Sequence, residues 1–243
     1  MALVPVAVLA LAGCTTTSDR EAVVAVVMEP VSVTTAVTTT TVTTTTTAPP
    51  TTSPVATEPP DAPAVAVARA DSRIVTEQAW TPFATVGGIT LRHTSSRVER
   101  VGFHDANHDG ARQMEPLSTA VAPWTMESRD RLTGSRSAAD VVVDPAVEIR
   151  SPVSGTVLEA GTYVLYCDYS DDYVVIDPDD HPGWRVKILH IDGVQVGAGD
   201  TVVAGETVLA GGPTQLPFGS QVDEVRTADP AWPHTHVEVV DPS

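Results

Sequence analysis

The run VQVGAGDTVVAGETVLA, residues Val194–Ala210, pairs with an earlier run, IRSPVSGTVLEAG, residues Ile149–Gly161. Each breaks short Val-rich pieces with turn residues: Pro-x-x-Gly in the first, Gly-Asp and a later Gly in the second. Such punctuation reads as strands joined by tight turns. The same texture extends outward on both sides. DVVVDP (140–145), TYVLYCDY (162–169), DYVVIDP (172–178), GWRVKILHIDG (183–193) and HTHVEVV (234–240) are short Val-rich runs separated by Gly, Pro and Asp. DPDDHPG (177–183) is placed as a hairpin loop. No long stretch carries a 3.6-residue period. The piece from Gly102 to Gly134 is polar and irregular, with room for a short helix. The expectation is a mainly antiparallel β domain over residues 79–243, large enough to bury a core.

The last run poses the chemical question. In AWPHTHVEVV (231–240), His234 and His236 stand at i and i+2. In a strand they share a face, with Val237 and Val239 on the other. Metal binding and simple solvent exposure both fit that spacing. Other chemistries are narrowed by composition. The chain of 243 residues carries a net charge of −17, with 13 Arg and one Lys, which disfavours nucleic acid. Its two cysteines form no C-x-x-C, so a cysteine zinc site is excluded. Cys167, in a strand-like run, reads as a small buried hydrophobe. The acidic series Asp168, Asp171, Asp172, Asp177, Asp179 and Asp180 lacks EF-hand spacing and reads as a solvated hairpin rim. His93 and His181 carry no pattern of their own, and His181 sits in the hairpin loop.

The N-terminal part has a different character. ALVPVAVLALAGC (2–14) is a short apolar run, below the length of a membrane-spanning helix. Its end, Leu11-Ala12-Gly13-Cys14, resembles the bacterial lipobox. That resemblance implies cleavage before Cys14, lipidation of its thiol and an extracytoplasmic protein anchored to the cell membrane. No Lys or Arg precedes the run, unlike a usual signal segment. Residues 15–73 are Thr/Pro-rich low complexity, which cannot bury enough apolar surface to order. The expected organisation is a signal segment (1–14), a disordered stalk (15–73) and the β domain (79–243).

The two paired turns resemble those of barrel-sandwich hybrid proteins, where they interlock two sets of strands. Two groups share that pattern: the biotinyl/lipoyl carriers and the M23 (LytM-type, lysostaphin-like) zinc peptidases. A carrier needs a lysine on an exposed hairpin. The single lysine, Lys187, lies inside the strand-like WRVKILH. The order of segments from Arg136 to Val240 is similar to that of M23. SAADVVVDP resembles the segment with the metal-ligand Asp, which falls on Asp140. WRVKILHIDG resembles the strand with a catalytic His, which falls on His190, although Ile188 replaces the family's aromatic. WPHTHVEVV resembles the terminal H-x-H segment. There His234 falls on a catalytic His and His236 on a zinc ligand.

One position departs from that pattern. Four residues before Asp140 the family places a zinc-binding His, and this chain has Arg136. A guanidinium has no lone pair to offer a metal. GFHDANHDGA (102–111) holds His104, His108, Asp105 and Asp109. If Gly102–His104 runs as an edge strand beside the cleft, His104 supplies the missing nitrogen; otherwise the segment is a polar surface loop. The resemblance thus implies a zinc-dependent endopeptidase directed at peptidoglycan if the site is complete. The alternative is a metal-free LytM-like module that binds the wall or regulates a partner hydrolase. LPFGSQVDEV (216–225) is expected at most as a wall of the cleft.

Overall fold

The computed structural model describes residues 72–243. Cys14, the signal segment and all but the last two residues of the stalk lie outside the described residues. The strands are β1 (Thr76–Glu77), β2 (Pro82–Val86), β3 (Ile89–Arg92), β4 (Arg97–His104), β5 (Glu115–Pro116), β6 (Pro123–Thr125) and β7 (Ala138–Val143). They continue with β8 (Ile149–Arg150), β9 (Gly155–Leu165), β10 (Tyr169–Pro178), β11 (Arg185–Val194), β12 (Thr201–Val202), β13 (Val208–Pro213) and β14 (His234–Val240). A single 3₁₀ turn, Gln221–Val225, is the only helical element among the described residues. The domain is mainly antiparallel β, as its sequence texture implies. No helix among the described residues is long and apolar enough to cross a membrane.

The large sheet runs β1-β4-β7-β14-β11-β10-β9-β12, with β13 joining β11 to β8 and β6 beside β4. A small sheet, β3-β2-β5, completes the fold. Every strand pair is antiparallel except β4 with β6. The two turn-bearing segments, 149–161 and 194–210, do interlock. The Gly205 amide donates to the Ser151 carbonyl (2.8 Å), the Ser151 amide to Thr207 (2.9 Å) and the Gly199 amide to Val157 (2.8 Å). β12 pairs with the start of β9. Gly155 has no substitute here, since a Cβ would lie 2.1 Å from the Asp177 carbonyl oxygen. Gly199 and Gly205 take φ of 93° and 74°, where side chains are strained.

One face of the central strands builds the core. Ala139, Val141 and Val143 of β7, Val237 and Val239 of β14, and Val186 and Ile188 of β11 pack with Phe83, Ile89, Leu91, Phe103 and Leu209. The alternate residues of the same strands face the other way, as the period of two demands. Among them are Asp140, His234, His236 and Glu238. This face is covered as well: His234, Asp140 and Glu238 are all buried. The 3₁₀ turn reaches it through Val222, whose Cγ2 would sit 2.9 Å from a Cβ at Gly102.

Two local expectations fail. Gly102–Gly134 contains no helix; it holds the end of β4 and the short strands β5 and β6. Cys167 is exposed rather than buried. It occupies the tight turn between β9 and β10, where Tyr166 and Cys167 take φ of 50° and 63°. Positive φ at both central residues is the hairpin turn that matches strand twist. The apolar alternation of TYVLY ends one residue before the cysteine.

Candidate metal centre and active-site cleft

Three adjacent strands supply the centre. On β14, His236 lies directly opposite Asp140 of β7. On β4, Gly102 lies opposite Asp140, so His104 is the diagonal same-face neighbour. The ligand atoms of His104, Asp140 and His236 all lie within 4.8 Å of one another, and the three could hold a metal ion. His236 Nδ1 is 2.9 Å and His104 Nε2 3.1 Å from Asp140 Oδ1. β4 is an inner strand, with β7 on one side and β1 and β6 on the other, not the expected edge.

The imidazoles turn their ring nitrogens toward the carboxylate. His104 Nδ1 is 2.9 Å from the Asp105 carbonyl oxygen, which only an N–H can satisfy. With Nδ1 engaged there, Nε2 is the buried nitrogen that His104 turns toward Asp140. His236 Nδ1 faces Asp140 while its Nε2 faces Glu238, 3.7 Å away. Two imidazoles and a carboxylate are a recognised donor set for zinc. The residues present therefore fit the metal.

Charge in the site is strongly coupled. Burial pushes the Asp140 carboxyl up, but the charges of His104 and His234 and hydrogen bonds from His104 and His236 hold it well below the usual range. Burial pushes His236 down, yet hydrogen bonds to Asp140 and Glu238 carry it up to about 9. His234 is dominated by burial and falls to about 4. Glu238 is buried, and it is also approached by His108 Nδ1 (2.6 Å) and Lys187 Nζ (3.1 Å). His108 thus pairs with Glu238 at the cleft and is not part of the cluster of three.

His190 reaches the same cleft through an irregularity. Val186 and Ile188 point into the core, so a regular strand would send His190 there too. Instead Leu189 pairs with Tyr173 and Ile191 with Asp172, leaving His190 as the extra residue of a bulge. Its φ of 61° marks the kink. Ile191 takes the core position, and His190 turns toward the cleft. Its Nδ1 donates to Asp171 Oδ2 at 2.6 Å, and its amide donates to the same oxygen at 3.2 Å. The Tyr163 hydroxyl donates to that oxygen as well, at 2.6 Å. Burial raises Asp171, but the His190 contact and charge outweigh it and lower its pKa. The His190 and His234 rings lie 5.1 Å apart, edge to face.

Asp171 is thus no member of a solvated rim: it is buried and holds a histidine. The signal was present, because Asp171 shares its strand parity with Tyr173 and Val175, both buried on the cleft side. The cleft encloses about 310 Å³ and gathers His104, Asp140, His190, His234 and His236. Leu216 and Phe218 form part of its wall, with Leu165, Leu189 and Tyr166. Arg136 does not line it. His181 stacks on Trp184 at 4.0 Å in the hairpin loop. His93 is enclosed in the core.

No family model matches the sequence, and no curated protein matches it. Among solved structures, the chain is similar to a zinc-containing peptidase from Vibrio cholerae, with 16% identity and a TM-score of 0.32. The match covers 71% of this chain and 37% of that one. A likeness of that extent carries no argument about activity.

Proposed function

We propose that this domain is a zinc-dependent endopeptidase of the M23 (LytM) kind, acting on the peptides of peptidoglycan from a lipid anchor at Cys14. The observation that carries the reading is the convergence of His104, Asp140 and His236. It completes a three-donor site even though Arg136 occupies the family's first ligand place. Arg136 favours a regulatory, metal-free module, whereas the three-donor cluster favours the enzyme.

A metal in such a site supplies Lewis-acid polarisation of a carbonyl and activation of a water. The chain supplies the rest. Asp171 and Tyr163 fix the His190 ring with Nδ1–H turned inward, leaving Nε2 as the free nitrogen. His234, largely neutral at pH 7 through burial, stands beside it. Together they offer a hydrogen bond to a developing oxyanion and a place for the proton passed to the leaving amine. The apolar wall of Leu165, Leu189, Leu216 and Phe218 limits water on one side.

Loading the purified full chain with zinc and incubating it with peptidoglycan tests the reading directly. New amino termini should appear, and they should be absent with His234→Ala at unchanged zinc content. A wild type that holds one zinc and releases none ends the peptidase reading. Labelled fatty acid on the wild type, and not on Cys14→Ser, tests the anchor.

A further inference from the structure

The protein carries 31 acidic and 14 basic side chains, yet two of its arginines, Arg129 and Arg131, line the cleft beside the metal cluster. We propose that Arg129, carried on the loop that Arg131 anchors, is a carboxylate-recognition wall of the cleft, so that the peptide presented to the site is an acidic one. The inference rests on the peptidase reading for its substrate class, but the arginine geometry is independent of it.

The loop that carries them is fixed to the metal site by one residue. Asp105 follows His104, and its carbonyl oxygen faces both His104 Nδ1 (2.9 Å) and Arg131 Nη1 (2.8 Å). The Asp105 carboxylate accepts from the Ser128 hydroxyl (2.7 Å) and the Arg129 amide (3.0 Å). Arg131 is therefore tied, through a single carbonyl, to the residue that offers Nε2 to the metal.

The backbone is bent to suit. Asp130 and Leu132, on either side of Arg131, take φ of 57° and 64°. Side-chain-bearing residues adopt that region rarely, and such strain gathers where a loop must aim a group. Leu132 is pushed out to 97% exposure, a poor place for a leucine unless its neighbours dictate the path.

Arg129 makes the chemical case. It is exposed, and its guanidinium has no hydrogen-bond or ion-pair partner among the described residues. A cation left unpaired in an acidic protein, at the mouth of a site that attracts a metal, serves no local neutralisation. It adds repulsion to the metal unless an anion comes with the substrate. A guanidinium matches a carboxylate with two parallel N–H···O bonds. The same cleft is also lined by Leu165, Leu189, Leu216 and Phe218, which accept the uncharged part of a peptide.

The test uses the zinc-loaded full chain carrying His234→Ala, so that binding is read without turnover. The probes are soluble stem peptides from peptidoglycan, with carboxylates free or converted to amides, followed by fluorescence anisotropy. The free form should bind about tenfold more tightly, the scale of one charge-assisted contact. Arg129→Gln should erase that preference at unchanged zinc content and melting temperature, and Arg129→Lys should keep part of it. Equal binding of both forms, or an Arg129→Gln variant that keeps the preference, overturns the proposal, as does binding of neither form. Wall cleavage by the wild type is scored separately. Cleavage without carboxylate preference removes only the arginine wall, whereas preference without cleavage keeps the wall and removes the peptidase reading.

Discussion

His93 is fully buried in the core and His236 is largely covered in the cleft, and their protons behave in opposite ways. His93 sits in the apolar core with its ring 5.2 Å from Phe83, and neither ring nitrogen has a hydrogen-bond partner. Burial alone acts on it and pulls its pKa down to about 4. Burial acts on His236 in the same direction, but Asp140 and Glu238 reverse it and raise the value to about 9. Charged neighbours, more than depth, distinguish the cleft from the core. The cleft holds buried carboxylates aimed at imidazoles, an arrangement that favours a bound cation, whereas the core holds an imidazole that can only be neutral.

The largest effect that breaks this contrast is loss of a ligand. His104→Ala and His236→Ala should each weaken zinc binding by more than about 100-fold, beyond the usual loss for a residue that merely orients a ligand. Competition with a chromophoric chelator reads it, and a His104→Ala protein with wild-type affinity would show that the three residues are not the site. Next comes the bulge. Asp171→Asn should leave zinc content unchanged but lower wall cleavage about 100-fold, the scale of misplaced acid–base help. An unchanged rate would mean that His190 does not need its partner.

The core side gives a smaller, pH-dependent effect. The folded pKa of His93 lies below the unfolded value, so the unfolded chain binds more protons. Stability is lost as pH falls from about 6.5 toward about 4, and the loss levels off below that. At pH 5 the cost is about 2 kcal/mol. His93→Leu should remove this part of the pH slope in urea unfolding compared with the wild type. Identical slopes in the two proteins would show that His93 does not bury neutral. The smallest effect belongs to a position on neither side. Arg136→His should leave zinc affinity within about twofold, because residue 136 does not line the cleft. A marked gain would place the metal nearer to residue 136 than the cluster allows.

Much of this arrangement could be read from residue patterns. The alternation in HTHVEVV places both histidines on one face and Val237 and Val239 on the other, and the structure keeps that division. The turn glycines announce the interlock between Ser151 and Gly205. Other features were out of reach. His104 was one of two readings of GFHDANHDGA, since nothing local says which strand lies beside β7. The histidine at 190 belonged on the cleft by resemblance, whereas the strand period by itself sends it to the core; the bulge reconciles the two. Asp171 and Cys167 lie opposite to their local reading, the acid inside and the cysteine outside.

What the sequence determined by itself was periodic and local: short strands, their turns, the face of each side chain and the chemical types able to hold a metal. These follow from backbone sterics and from a repeat of two residues, which a few neighbours suffice to reveal. Only the tertiary structure decided which strands are adjacent, in what register, and where a bulge reverses the face. Those choices set Asp140 between His104 and His236, and they depend on pairings between residues far apart in the chain. A one-residue slip in either pairing would move a ligand to the opposite face and dissolve the site without changing a single local preference.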